Sequence, residues 1–339
     1  MAKRNIIVIG ASAGGIAALS RLLSLLPADL DAAIFIAQHL SPTAPSILPD
    51  LLDRSSRLPA AVAREGEAIR LGRIYVAAPD RHLLLRPGLI LSRRGPQENR
   101  TRPAINALFR SAALAYGAQV VGVVLTGLLD DGTDGLIMIK AAGGTSVVQD
   151  PDEAEWPSMP RNALQRDHVD HCLRLDDLAE RLVRLAGEEA GPVVPLPPEY
   201  ELEDRIAAQE LPIMEPRVET PGAASRLSCP DCGGVLNEVG PQESLHFRCQ
   251  VGHAFTPLGL AQAQTDEIER ALAVAARTHR DRVRLFGEMH DKALAAGRTL
   301  AARRWAAGVA EAENFIRVLE EAMSRLRQAV VTEEGADAG

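Results

Sequence analysis

Residues 5–20 read NIIVIGASAGGIAALS. The apolar run Ile6–Ile9 breaks at Gly10-Ala-Ser-Ala-Gly14-Gly15 and gives way to an alanine- and leucine-rich segment, the pattern of a strand, a tight turn and a helix. Further β-rich runs alternate with helical patterns as far as residue 188: AIFIAQ at 33–38, RIYVAA at 73–78 and AQVVGVVLTG at 118–127. The alternation predicts an α/β fold, a doubly wound, mostly parallel sheet with helices on both faces. LLLRPGLILS, centred on Pro87-Gly88, predicts a β-hairpin attached to that sheet.

The glycine turn has two possible uses. A dinucleotide cradle needs glycine at its second position, where this chain has Ser12, and an acidic residue at the end of the second strand, where it has Gln38-His39. A P-loop needs Gly-Lys-Ser/Thr, and Gly15 is followed by Ile16. The same residues satisfy Gly-x-Ser-x-Gly, in which small neighbours let a serine stand on a sharp strand-to-helix turn. In an open parallel sheet the functional crevice lies beyond the carboxyl ends of the strands. His39 reaches that edge from the second strand, and GLLDDGTDG at 127–135 brings Asp130 or Asp131 from a later one. Ser, His and Asp on three strand ends are the parts of a nucleophilic triad, whose members are defined by geometry and not by chain order.

Composition narrows the classes. The chain has 339 residues, 46% hydrophobic and 24% charged, with a formal net charge of −8, enough for a sizeable core and at least two domains. The acidic balance argues against a nucleic-acid partner. No stretch reaches the roughly 20 apolar residues that span a bilayer, and the N-terminus runs straight into a strand, so a cytoplasmic protein with no membrane insertion is expected.

Gly191–Pro221 carries seven prolines and seven acidic residues, so residues 191–227 are expected to be a linker with room for one short helix at ELEDRIAAQE. Cys229-Pro-Asp-Cys232 and Cys249-Gln-Val-Gly-His253 have the residue types and spacing of a zinc ribbon, predicted over 228–256, with a structural zinc ion on Cys229, Cys232, Cys249 and His253. His246 is read as a strand residue and Cys172 as a packed thiol. Two long helical patterns within 257–332 predict an α-helical hairpin bent at Gly297. Trp305, Val309, Ala312, Ile316, Leu319, Met323, Leu326 and Val330 form a seam at coiled-coil spacing, and Ile268, Leu272, Ala275, Phe286 and Met289 face it. The same seam offers a homodimer.

GASAGG, the Gln-His after strand two, APDRH at 78–82, NRTRPAINALF at 99–109, LTGLLDDG at 125–132 and SMPRNAL at 158–164 together resemble the catalytic domain of CheB-type protein-glutamate methylesterases, over about residues 4–188 within a predicted domain 1–190. The resemblance implies hydrolysis of glutamate γ-methyl esters, with deamidation of some glutamines, on a methylated chemoreceptor or similar helical signalling protein. It implies Ser12 as nucleophile, His39 as base and Asp131 as the carboxylate that orients it, with no catalytic cofactor. Backbone N–H groups of Ala13 and Leu128 are the expected oxyanion donors, and Arg102, Arg161 and His82 the expected substrate-binding residues. Ala13 stands where the family usually has threonine, and Asn106 where aspartate is common, a change expected to alter substrate contacts. Family members in chemotaxis usually carry a receiver domain ahead of the catalytic one. Here the first strand begins at residue 5, so activity is expected to be uncovered or governed by the C-terminal appendage or a partner; a receptor methyltransferase is a separate candidate binding partner. A non-catalytic docking scaffold and an esterase for another carboxyl ester are the competing readings.

Overall fold

The computed structural model describes residues 2–41, 47–166, 168–210, 222–241 and 244–336, with side chains to residue 326. The chain forms two compact units, one ending at Leu260 and the other beginning at Ala261. In chain order the first unit holds β1 (Ile6–Ala11), α1 (Gly15–Ser24), β2 (Ala33–Gln38), α2 (Leu48–Ser55), β3 (Ala60–Val62), β4 (Arg73–Val76), β5 (His82–Arg86), β6 (Leu89–Arg93) and α3 (Ile105–Tyr116). It continues through β7 (Val120–Val124), α4 (Thr133–Ala141), β8 (Thr145–Gln149), α5 (Ser158–Arg166), β9 (His171–Leu173), α6 (Leu175–Gly187) and α7 (Pro198–Ala207).

Seven strands make one parallel sheet in the order β3-β4-β2-β1-β7-β8-β9. The period of two along β1 explains its two-faced core. Ile7 and Ile9 pack with Leu19, Leu22 and Leu182 on one side, while Ile6 and Val8 pack with Leu108, Phe109 and Ile139 on the other. Both faces are covered, so the strand is apolar throughout instead of alternating. The sheet has three strands beyond the four runs quoted above. Two of them, β3 and β9, are three-residue edge strands, too short to carry a periodic signal. The hairpin β5-β6 is present as a separate two-stranded sheet. Where it was expected to extend the main sheet, it lies outside that ladder.

The proline-rich segment is more than a tether. Its helix α7 buries Tyr200, Glu203, Asp204 and Ala207, with Ala207 in a small cluster shared with Ala104 and Ala107 at the start of α3. Residues 211–221 of the expected linker lie outside the described residues. Beyond them β10 (Ala223–Ser228), β11 (Val235–Val239), β12 (His246–Cys249) and β13 (Ala254–Phe255) form a four-stranded antiparallel sheet within the first unit.

The second unit is a helical hairpin of α8 (Pro257–Ala295), from Ala261 onward, and α9 (Thr299–Ala336), turning at Gly297 with φ 69°. Its helices run antiparallel, as Phe286 against Trp305, His279 stacked on Phe315 and the Arg280–Glu320 ion pair show. Among the seam residues Ala312 is buried and Trp305, Val309, Ile316, Leu319, Met323 and Leu326 are half-buried; Val330 falls outside the described side chains. Ile268 departs from the expected seam and is 49% exposed.

Candidate functional site

The sheet register builds the site. Ala11 pairs with Gln38 at the last step of the β1–β2 ladder, so Ser12 and His39 are the first residues past adjacent strand ends, and strands in a sheet lie only about 4.8 Å apart. Ser12 Oγ is 3.1 Å from His39 Nδ1, and His39 Nε2 is 2.8 Å from Asp131 Oδ2. A carboxylate only accepts, so Nε2 carries the ring proton and Nδ1 is the acceptor facing the serine hydroxyl. Asp131 is nearly sealed from solvent, its side chain 3% exposed, while the His39 side chain keeps 16%.

Each of the three side chains has its own support. The Ser12 N–H donates to the Thr126 carbonyl at 3.0 Å, tying the turn to the end of β7. The Gln38 amide donates to the carbonyls of Ser12 and His39, lashing the serine turn to the histidine strand. Asp131 accepts the first free N–H groups of α3, from Ile105 at 2.7 Å and Asn106 at 3.1 Å. A carboxylate at a helix N-terminus is favoured by the helix dipole. Asn106 returns the cap, its Oδ1 accepting from the N–H groups of Gly132 and Gly135 at the start of α4. Asn106 is buried in this role, which corrects the expectation that it contacts substrate. Gly132 sits at φ 100°, a conformation that glycine alone adopts cheaply, and the turn it allows aims the Asp130-Asp131 pair.

The neighbouring carboxylate has different company. Asp130 Oδ1 accepts the Thr256 hydroxyl at 2.7 Å and Oδ2 faces Arg166 at 3.3 Å. Burial pushes its carboxyl up to about 6, against the pull of the Thr256 hydrogen bond.

Gly127 lies hard against Ser12, since a Cβ there would fall 2.9 Å from Ser12 Cβ and 2.8 Å from Met159 Cε. Among the described residues no acceptor takes the N–H of Ala13 or Leu128. An open cleft of about 640 Å³ runs past Ser12, His39, Ile16 and Leu51. Ile16, Leu51, Leu128 and Trp156 are each at least 36% exposed.

Two of the three expected substrate contacts are corrected. His82 is fully buried, with Nδ1 accepting the Ala104 N–H and Nε2 donating to the Pro96 carbonyl, so both nitrogens are spent inside the protein. Burial keeps it in the neutral form. Arg102 is committed to Asp80 and the Gly95 carbonyl. Arg161 is half-buried on α5. That helix touches the site through two residues of the SMPRNAL stretch to which the sequence assigns no role: Met159 against Gly127, and Asn162, which donates to the Leu129 carbonyl. The roles of Thr126 and Gln38 are equally silent in the sequence, because their work is hydrogen bonding to backbone, which leaves no periodic trace.

The second candidate centre lies in the ribbon. Cys229 Sγ, Cys232 Sγ, Cys249 Sγ and a His253 nitrogen all lie within 4.8 Å of one another. Cys229–His253, Cys232–Cys249 and Cys249–His253 are separated by 3.7, 3.7 and 3.6 Å. Zinc bonds of about 2.3 Å to sulfur and 2.0 Å to nitrogen set tetrahedral edges of about 3.5–3.8 Å, so the donor set fits such an ion. It is far too open for a disulfide. His246 stays out of the cluster, as read from the strand. Cys172 is exposed on β9 and is not the packed thiol expected.

The sequence profile of the CheB methylesterase family matches residues 7–182. A protein-glutamate methylesterase/protein-glutamine glutaminase of Methanosarcina acetivorans is 37% identical over 194 residues, covering 55% of this chain and 54% of that protein. A Leptospira interrogans protein given the same name provisionally is 40% identical over 180 residues, 53% of this chain and 93% of its own length. The crystal structure of the Thermotoga maritima CheB methylesterase catalytic domain superposes with a TM-score of 0.51 at 31% identity, covering 53% of this chain and 98% of that one. The matched region runs from β1 into α6 and carries Ser12, His39 and Asp131 on its strand ends. By sequence and by sheet, the chain belongs to the CheB methylesterase family.

Proposed function

We propose that this protein is a serine hydrolase that removes methyl groups from glutamate γ-methyl esters of a helical, chemoreceptor-type signalling protein, and deamidates glutamines at similar positions. The observation that carries the reading is the unbroken hydrogen-bond chain from Ser12 Oγ through His39 to Asp131 Oδ2. In the reaction Ser12 Oγ attacks the ester carbonyl while its proton passes to His39 Nδ1. The resulting oxyanion is met by the N–H groups of Ala13 and Leu128, one such donor being worth about 3 kcal/mol of barrier. His39 returns the proton to the leaving methoxide, methanol departs, and a glutamyl-serine ester remains. Water, deprotonated by His39, hydrolyses that ester and restores the serine. With glutamine the same sequence releases ammonia. Asp131 holds the tautomer with its proton on Nε2 and stabilises the imidazolium.

The exposed apolar residues Ile16, Leu51, Leu128 and Trp156 around the serine favour a protein surface as substrate over a small free ester. Cys229, Cys232, Cys249 and His253 hold a structural zinc ion that supplies folding stability to the ribbon and takes no part in the bond-breaking steps. The test is methanol release. A methylated receptor helix bundle should yield methanol with wild type and none above background with Ser12→Ala, and should be preferred over free glutamate γ-methyl ester. Equal release by both proteins would refute the reading.

A further inference from the structure

The metal-binding ribbon and the acid loop are joined by a short, continuous path. His253 leads directly into β13, whose Ala254 pairs with catalytic-domain residues: Ala254 N–H donates to the Gln97 carbonyl at 3.2 Å, and Asn99 N–H donates to the Ala254 carbonyl at 2.7 Å. The next residue but one is Thr256. Its N–H donates to Asn99 Oδ1 at 2.8 Å, and its hydroxyl accepts the Gly259 N–H at 3.0 Å, capping α8. The hydroxyl proton goes to Asp130 Oδ1 at 2.7 Å. Asp130 is peptide-bonded to Asp131, the carboxylate on His39.

The loop has reason to need holding. Leu129, just before Asp130, sits at φ 61°, a left-handed backbone that costs a non-glycine residue about 1–2 kcal/mol. Strained residues persist where their surroundings over-determine them. Here Asn162 fixes the Leu129 carbonyl, Arg166 takes one oxygen of Asp130, and the ribbon takes the other. A second bond between the modules runs in parallel. Arg248, next to Cys249, reaches Glu98 at 3.3 Å, which binds Arg110 of α3 at 2.6 Å. It is the first turn of α3 that holds Asp131.

We infer that Thr256 is a positioning residue for the hydrolase: the metal-loaded ribbon clamps the Asp130–Asp131 peptide through its hydroxyl, and losing either the hydroxyl or the metal loosens Asp131 from His39. The inference rests on the esterase and zinc readings above. It reaches past them by making the appendage part of the catalytic framework instead of a separate docking module.

The experiment compares wild type, Thr256→Val, Thr256→Ser and wild type stripped of metal with a chelator and then reloaded with zinc. Two quantities are read in each: kcat and KM on a methylated receptor fragment, and the low-field proton NMR signal of the His39 Nε2–H bonded to Asp131. Valine keeps the shape and removes the donor, so kcat should fall about ten- to a hundredfold, the range expected of a small misplacement. KM should hold, and the low-field signal should broaden or vanish. Serine should restore both, and stripping should reproduce the valine phenotype until zinc is returned. Wild-type kcat and signal in Thr256→Val would overturn the inference, and so would wild-type values in the stripped protein, which also decides the matter if the valine variant fails to fold. Should wild type release no methanol while its low-field signal still depends on Thr256, the esterase reading fails and the clamp stands.

Discussion

Asp130 and Asp131 are consecutive residues whose carboxylates serve different parts of the molecule: Asp131 accepts from His39 Nε2 at 2.8 Å, Asp130 from the Thr256 hydroxyl at 2.7 Å. The division predicts unequal variants. Asp131→Asn leaves the wrong tautomer or an unpaired imidazole and should lower kcat by about three to four orders of magnitude. Asp130→Asn keeps an acceptor for Thr256 and should cost about tenfold at most. Steady-state kinetics on a methyl ester substrate measure both, and equal losses would contradict the assignment.

The same aspartate gives a pH dependence of stability. Burial raises the Asp130 carboxyl from 3.8 to about 6, so between those values the folded protein binds more protons than the unfolded chain. Stability contributed by this group therefore falls as pH rises through about 4 to 6. Asp130→Asn removes the penalty of an ionised buried carboxylate and should be more stable than wild type at pH 8 by about 3 kcal/mol, with the gap closing toward pH 4. Denaturant unfolding at several pH values tests this. A gap that widens in acid would reverse the sign.

Cysteine reactivity tests the proposed metal centre. Cys172 is exposed on an edge strand, and Cys229, Cys232 and Cys249 converge with His253. A thiol reagent should modify one cysteine quickly in the zinc-loaded protein and all four once a chelator is present, with a fall in thermal midpoint. Four fast thiols in the loaded protein would exclude the site.

Much of this was legible because register is local. Parallel strands with apolar runs ending in Gly-x-Ser-x-Gly and in Gln-His can pair in only a few ways, and the pairing of Ala11 with Gln38 puts Ser12 beside His39. Strand spacing alone leaves both adjacent aspartates open; the resemblance points to Asp131, and the physical reason Asp130 is engaged elsewhere, Thr256, lies far along the chain. His82 and Arg102 carry side chains that suit an acidic substrate, but their partners, the Pro96 carbonyl and Asp80, take them out of the crevice. Helix α7 reads as linker because its acidic residues look solvated. Glu203 is instead fully buried: desolvation works against its charge, yet His246, Arg248 and Arg110 hold its carboxyl down at about 2. Charge neutralised across modules is invisible to composition. His246 meets acceptors at both ring nitrogens, Ser244 O and Glu203 Oε1, and so sits there as the imidazolium, with Glu203 raising its pKa against the opposing effect of burial.

The central claim is that His39, held by Asp131, activates the Ser12 hydroxyl. Its most direct measurement is the rate at which a fluorophosphonate probe labels the protein, with the labelled peptide identified by mass spectrometry. Wild type should be modified on Ser12 alone, His39→Ala should be labelled at least about a hundredfold more slowly, and Asp131→Asn should fall between them. Labelling of wild type elsewhere, or of Ser12 at an unchanged rate in His39→Ala, would contradict the account.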